Sequence, residues 1–314
     1  MRSLLLWLKP RGLDSLMHMA MPTPIRTYFD FTARLALERI ATERALCLKN
    51  LPSPRKDMFH FLCTARDPDT GSFALTPDDL IADANLLIVA GSDTSSTTVA
   101  GLFFYITRHP RVYAKLVREI VQNFGDVEEI GRDADSMARC VYLRAVIREV
   151  MRLCPPGPSE VERTILKGGT VIAGERYAEG VVVGVPLWSL SRNEDVWGDA
   201  ERFRPERWIV SDHEDGFNSV EEVNRLKRSY HPFSKGVGAC LGQKMAMLQI
   251  CIIVARTLWR YDVKNAEGQN VGEGKPELGW GRRNRGHMQF RDAYIGLREG
   301  PIVQFKKRWA EMQP

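Results

Sequence analysis

Cys240 lies in HPFSKGVGACLGQKMAM, residues 231–247, between glycines and just ahead of a stretch with helical texture. A helix that begins beyond it aims free backbone N–H groups and a positive dipole end at the sulfur. That setting favours thiolate, the form in which cysteine binds a metal. Gly236, Gly238 and Gly242 let backbone approach a flat ligand where any Cβ would clash. Phe233 can pack beside the sulfur and limit water. One thiolate, one aromatic and a glycine-lined loop suit an axial haem ligand better than zinc, which needs further Cys or His nearby. The other reading is a helix-capping glycine loop with an incidental cysteine, since a lone cysteine is usually a small buried hydrophobe.

AGSDTSS, residues 90–96, is the second candidate. It sets the carboxylate of Asp93 beside the hydroxyl of Thr94, where Gly91 weakens a helix. Hydroxyls that divert backbone hydrogen bonds can open a bulge there, and the pair could relay protons. Packing against a neighbouring helix is the commoner use of such a Ser/Thr run. Third come Glu149 and Arg152, spaced i, i+3 on one helix face. Most such pairs are solvated and worth little. Their flanks here are apolar (Val146, Ile147, Val150, Met151, Leu153), and a buried pair needs more hydrogen bonds, which Arg207 in FRPERW could supply.

The elements that must carry these residues follow from periodicity and stop signals. Helical spacing marks 24–50, 112–125, 141–153 and 248–261. A helix from 77 to 109 has Thr76 as N-cap, Pro77 at the first position and Asp78 and Asp79 at its positive end. At about 33 residues it would be roughly 50 Å long. Its polar centre argues against a membrane span and for a buried element crossing a domain. Short β-like runs fill 165–185, and 292–305 reads as a hairpin. The class is α+β, mainly helical.

Bulk properties exclude several functions. The 314 residues are 44% apolar and 26% charged, with a net charge of +5, so composition is that of a globular protein and not of a nucleic-acid binder. Six scattered cysteines with no CxxC pair exclude a disulfide framework and a structural zinc site. The apolar run Leu4 to Leu8 is too short to span a membrane. Around the cysteine loop, Arg225, Lys227, Arg228, Lys235 and Lys244 form a basic cluster with no acid from Asn224 to Lys244. It reads equally as a docking face or as a solvated loop.

Four of these stretches, in this order, resemble the cytochrome P-450 family, with a texture most like its fungal members. AGSDTS matches A/G-G-x-D/E-T-T/S, Glu149-Val150-Met151-Arg152 matches E-x-x-R, PERW (205–208) matches P-E-R-F/W, and FSKGVGACLG (233–242) resembles F-x-x-G-x-R-x-C-x-G. The resemblance implies a single domain over 1–314 with a long central helix and a minor β part. It implies haem b with Cys240 as axial iron ligand, in a loop formed by Phe233, Gly236 and Gly242. Asp93 and Thr94 would deliver protons to dioxygen, Ala90 and Gly91 would line the distal groove, and Arg163 would meet a haem propionate. Glu149, Arg152 and Arg207 would be a structural triad, and the closing hairpin from Tyr294 to Val303 could touch substrate.

The activity so implied is a haem-thiolate monooxygenase that inserts one oxygen atom of O2 into a hydrophobic, secondary-metabolite-like substrate. Electrons would come from an NADPH-dependent reductase docked on the basic face, at the cytosolic side of the endoplasmic reticulum membrane. Two departures stand out. Gly238 replaces the usual Arg or His that faces a propionate. The chain also enters the family pattern partway, without counterparts of the membrane anchor, the first sheet or the W-x-x-x-R helix, so apolar faces should be left exposed. The rival expectations are an inactive truncated haem-binding fragment, or an incomplete gene model, and a non-enzymatic haem-binding or interaction module.

Overall fold

The computed structural model describes residues 21–210, 218–279, 281–293 and 295–308, which divide into two compact units, one up to Ala90 and one from Gly91 onward.

In the first unit, α1 (Thr23–Leu48) and α2 (Met58–Thr64) meet the start of α3 (Pro77–Arg108). Ile40, Cys63 and Leu80 form their shared apolar core. α3 begins with a reciprocal cap. The Asp79 N–H donates to Thr76 Oγ1 at 3.2 Å, and the Thr76 N–H donates to Asp79 Oδ2 at 2.9 Å.

α3 continues into the second unit, where Leu102, Phe104 and Ile106 are fully buried. It is the one helix among the described residues long and apolar enough to cross a membrane, yet this half of it sits in a protein core. α4 (Pro110–Asn123) adds Val112, Leu116 and Ile120, one stripe at i, i+4, i+8. α5 (Ala134–Ala138) is a single turn, and α6 (Val141–Leu153) buries ten of its thirteen residues. A short antiparallel patchwork follows: β1 (Arg163–Thr164), β2 (Thr170–Ile172), β3 (Glu175–Tyr177) and β4 (Val182–Val183), with β1 paired to β4 and β2 to β3.

α7 (Leu187–Leu190), α8 (Glu194–Trp197) and α9 (Val220–Arg228) are too short to leave a periodic signal in the sequence. α10 (Gln243–Arg260) starts five residues earlier than its apolar spacing indicates, because its first turn is polar and exposed on one side. Its Ile250, Cys251, Val254, Ala255 and Leu258 complete the main core with α3, α4 and α6.

The tail departs from the hairpin read at 292–305. The hairpin is β6 (Phe290–Ala293) with β7 (Ile295–Arg298), whereas β8 (Val303–Lys307) pairs in register with β5 (Tyr261–Asn265). Gly300, at φ +74°, turns the chain, and Pro301 has no N–H to offer a ladder, so pairing with β6 cannot continue. The expected substrate contact at Tyr294 lies outside the described residues.

Candidate functional site

Six cysteines separate by environment. Cys63, Cys140, Cys154 and Cys251 are buried, and Cys47 is partly covered, while Cys240 is exposed. Burial pushes the thiols of Cys140 and Cys154 up to about 12 and that of Cys251 to about 11, which keeps them protonated. Cys240 is therefore the thiol open to a ligand.

The loop that presents it is tightly held. The Cys240 N–H donates to the Phe233 carbonyl at 2.8 Å, the Ala239 N–H to Gly236 at 3.0 Å and the Ser234 N–H to His231 at 3.0 Å. Gly236 adopts φ +71°, and a Cβ there would meet nothing within 4 Å. Gly242 is the N-cap of α10 and supplies no side-chain cap; the first helical N–H, that of Gln243, donates to the Cys240 carbonyl at 3.4 Å. Phe233 packs on the main core and anchors the loop's entry.

Arg163, from β1, reaches this loop. Its Nη2 stands 2.9 Å from where a Gly238 Cβ would be, so the guanidinium uses the space that a side chain at 238 would need. Its Nη1 also donates to the carbonyl of Glu162 at 2.9 Å.

The polar centre of α3 stays α-helical, and no bulge opens at Gly91. Ser96 and Thr97 donate to the Asp93 carbonyl at 3.1 and 2.8 Å, and Thr98 to the Thr94 carbonyl at 3.1 Å. Those carbonyls accept a side chain without leaving the helix, the back-bonding that Ser and Thr allow. Ala90, Gly91 and Asp93 are exposed and Thr94 is half-buried. Arg298, in β7, donates from Nη1 to Thr97 Oγ1 at 2.9 Å. A chain thus runs from Arg298 through Thr97 to the Asp93 carbonyl. No local signal in the sequence pointed to Arg298, because its partner is 201 residues away.

Glu149, Arg152 and Arg207 come together with no solvent exposure at all. Arg152 binds Glu149 in a two-bond fork, Nη2 to Oε1 at 2.9 Å and Nε to Oε2 at 3.1 Å, and Arg207 Nε adds a bond to Oε1 at 3.0 Å. The Arg204 N–H and the Trp208 indole N–H complete the carboxylate's shell, at 3.0 and 2.9 Å. Burial alone would raise the Glu149 carboxyl, but the Arg152 charge and bond, then Arg207, hold it below its ordinary value. The remaining guanidinium donors go to carbonyls of Ser191, Ala200, Trp197, Asp199 and Arg202, and Arg207 Nη2 also pairs with the Asp199 carboxylate at 2.9 Å. The cluster therefore staples the irregular segment 187–208 to α6. Trp208 belongs to PERW, but its donor role became visible only with the fold.

Comparison with known proteins fits this arrangement. The profile of the family described as Cytochrome P450 matches residues 18–284. The chain belongs to the cytochrome P450 family. Among relatives of this P450 are the cytochrome P450 monooxygenase fscF of Fusarium equiseti, 36% identical over 90% of this chain and 52% of that protein, and apf7 of Gibberella fujikuroi, 35% identical over 80% of this chain and 46% of that protein. This P450 thus spans about half the length of these relatives. Its fold is also that of a crystallised cytochrome P450 (CYP102L1), with a TM-score of 0.69 and 23% identity over 89% of this chain and 56% of the other.

The P450 loop fits the haem that its family implies. An exposed thiol is flanked by Val237 and Leu241, two apolar side chains with relative exposures of 110% and 100%, which a flat apolar group would cover. Of the basic cluster, Arg225 is tied to the Val196 carbonyl at 2.7 Å, and Lys227, Arg228, Lys235 and Lys244 are exposed.

Proposed function

We propose that this chain is the haem-thiolate portion of a monooxygenase that inserts one oxygen atom of O2 into a hydrophobic organic substrate of secondary-metabolite type. The observation that carries this reading is the exposure of Cys240, on a glycine-lined turn at the N-terminus of α10, while four of the other five cysteines are buried. Bound haem b would supply the iron that activates dioxygen.

This chain's own residues hold and serve that group. Cys240 Sγ would hold the haem iron, Gly236 and Gly242 would keep the approach free of side chains, and Phe233 would set the loop. Arg163 would offer a propionate the positive charge that Gly238 cannot provide, since its guanidinium already occupies the space at 238. Ala90 and Gly91 line the distal groove. Asp93 carries protons inward and Thr94 holds the last donor hydroxyl. Glu149, Arg152 and Arg207 act on structure alone. The exposed lysines and Arg228 steer an acidic NADPH-dependent reductase at the cytosolic face of the endoplasmic reticulum membrane, the setting that the resemblance to the P450 family implies.

The test is the reduced, carbon-monoxide difference spectrum of the haem-reconstituted chain. A thiolate-type Soret band that disappears in Cys240→Ala is expected. A band that is absent from the parent chain, or unchanged in the variant, would falsify the ligand assignment. Turnover with an added reductase then separates an enzyme from a haem carrier.

A further inference from the structure

Beside the cysteine loop lies a cavity of about 410 Å³ that shares only Phe233 with the residues assigned to hold haem. Its walls come from α5, α6, α10 and the segment leading to the loop. Arg144 and Arg148 of α6, Tyr230, His231, Gln243 and Lys244 supply its polar surface, and no lining residue is acidic. Arg144 and Arg148 are one helical turn apart, on the same face, and both are half-buried. Neither guanidinium has an ion-pair or side-chain hydrogen-bond partner among the described residues.

Their isolation is unusual for this molecule. Arg152, on the same helix, satisfies its donors with a carboxylate and three carbonyls. Burial and then the neighbouring Arg144 charge both disfavour the charged form of Arg148, and no carboxylate offsets them. Tyr230 adds a hydroxyl that is shut from solvent with no hydrogen-bond partner. Two like charges held together in a partly desolvated recess cost stability unless an anion compensates. The volume lies in the range of small-molecule sites.

We infer that this cavity is a binding site for a small oxyanion, a phosphate or carboxylate group clasped between the Arg144 and Arg148 guanidiniums with Lys244 at the rim. Guanidinium forks match the planar, two-oxygen edge of such groups. The site goes beyond the proposed monooxygenase and does not depend on haem. Only Lys244 is shared with the basic docking cluster.

The experiment titrates the whole, haem-free chain with inorganic pyrophosphate and, separately, with glutarate, at constant ionic strength, by isothermal calorimetry. Saturable one-to-one binding of at least one anion is expected. Arg148→Gln and Arg144→Gln should each weaken it tenfold or more, Lys244→Gln by about threefold, and Lys264→Gln on exposed β5 not at all. Because the arginine variants could lose their fold, the parent chain is also labelled with an arginine-specific dicarbonyl and mapped by mass spectrometry. The bound anion should protect Arg144 and Arg148 while leaving Arg285 reactive. No saturable binding of either anion, equal weakening by Lys264→Gln, or equal protection of Arg285 would overturn the site. A missing Soret band with intact anion binding would count against the haem reading alone.

Discussion

Glu149 accepts five hydrogen bonds, and it does so without exposure to water. Its folded-state carboxyl is held below the ordinary 4.5 against the pull of burial. A depressed value of this kind stabilises the fold fully above the unfolded-state value, and the contribution is lost as pH falls through the folded one. The cluster should therefore hold from neutral pH down to about 4.5 and weaken only in more acid solution. Glu149→Gln takes the counter-charge from buried Arg152 and leaves buried Arg207 with Asp199 alone, and it should cost about 3–5 kcal/mol. Urea unfolding followed by circular dichroism measures this, and a loss under about 1 kcal/mol would mean that the cluster is not what fastens 187–208. At the same scale, the pair of Gly238 and Arg163 changes what a missing motif residue means. The position has lost its own charge, but the vacated space holds a guanidinium from another strand.

α3 carries the proposed proton-relay residues Asp93 and Thr94, and it is secured at its start and at its middle by different means. Its start is closed by the reciprocal bonds of Thr76 and Asp79, and Thr76→Ala should cost about 1 kcal/mol in thermal or urea unfolding. Its middle is held from outside, by Arg298 through Thr97 to the Asp93 carbonyl. That bond also fastens the β6–β7 hairpin, whose strands share only four register pairs. Arg298→Ala should speed amide hydrogen exchange in peptides covering 93–98 and 290–298 and leave 77–88 unchanged. Exchange that stays the same in all three segments would show that the hairpin and the helix are held without this contact.

The molecule as a whole carries more apolar surface than a self-sufficient domain would choose. In the first unit, Phe31 and Leu37 on α1 and Leu86 and Ile88 on α3 are 51%, 49%, 63% and 48% exposed, and a groove of about 690 Å³ runs past Phe31 and Ile88. Contiguous apolar surface of this kind drives association. Purified chain should self-associate as its concentration rises, and a non-ionic detergent should reverse this. Light scattering coupled to size exclusion checks it, and a monodisperse monomer at every concentration without detergent would contradict the expectation. The net charge of +5 is too small to keep such faces apart.

The sequence by itself determined the long helix, read over 77–109 and found over 77–108, the amphipathic helices, read over 112–125 and 141–153 and found over 110–123 and 141–153, and the order of the four motifs. Those features rest on caps, stop signals and apolar spacing within one turn or two, which act over short stretches of chain. It also marked Cys240 as a candidate ligand, with a helix-capping glycine loop as the other reading. Tertiary structure decided that Cys240 is the exposed thiol while four others are buried, that the Glu149 pair is fully buried and not solvated, and that β8 joins β5. It also brought Arg163 to Gly238, Arg298 to Thr97 and two unpaired arginines to one cavity. Each of these depends on burial or on partners from distant parts of the chain, and neither leaves a period or a spacing to read. The loop around Cys240 was legible as a motif; its openness to a ligand came from the fold.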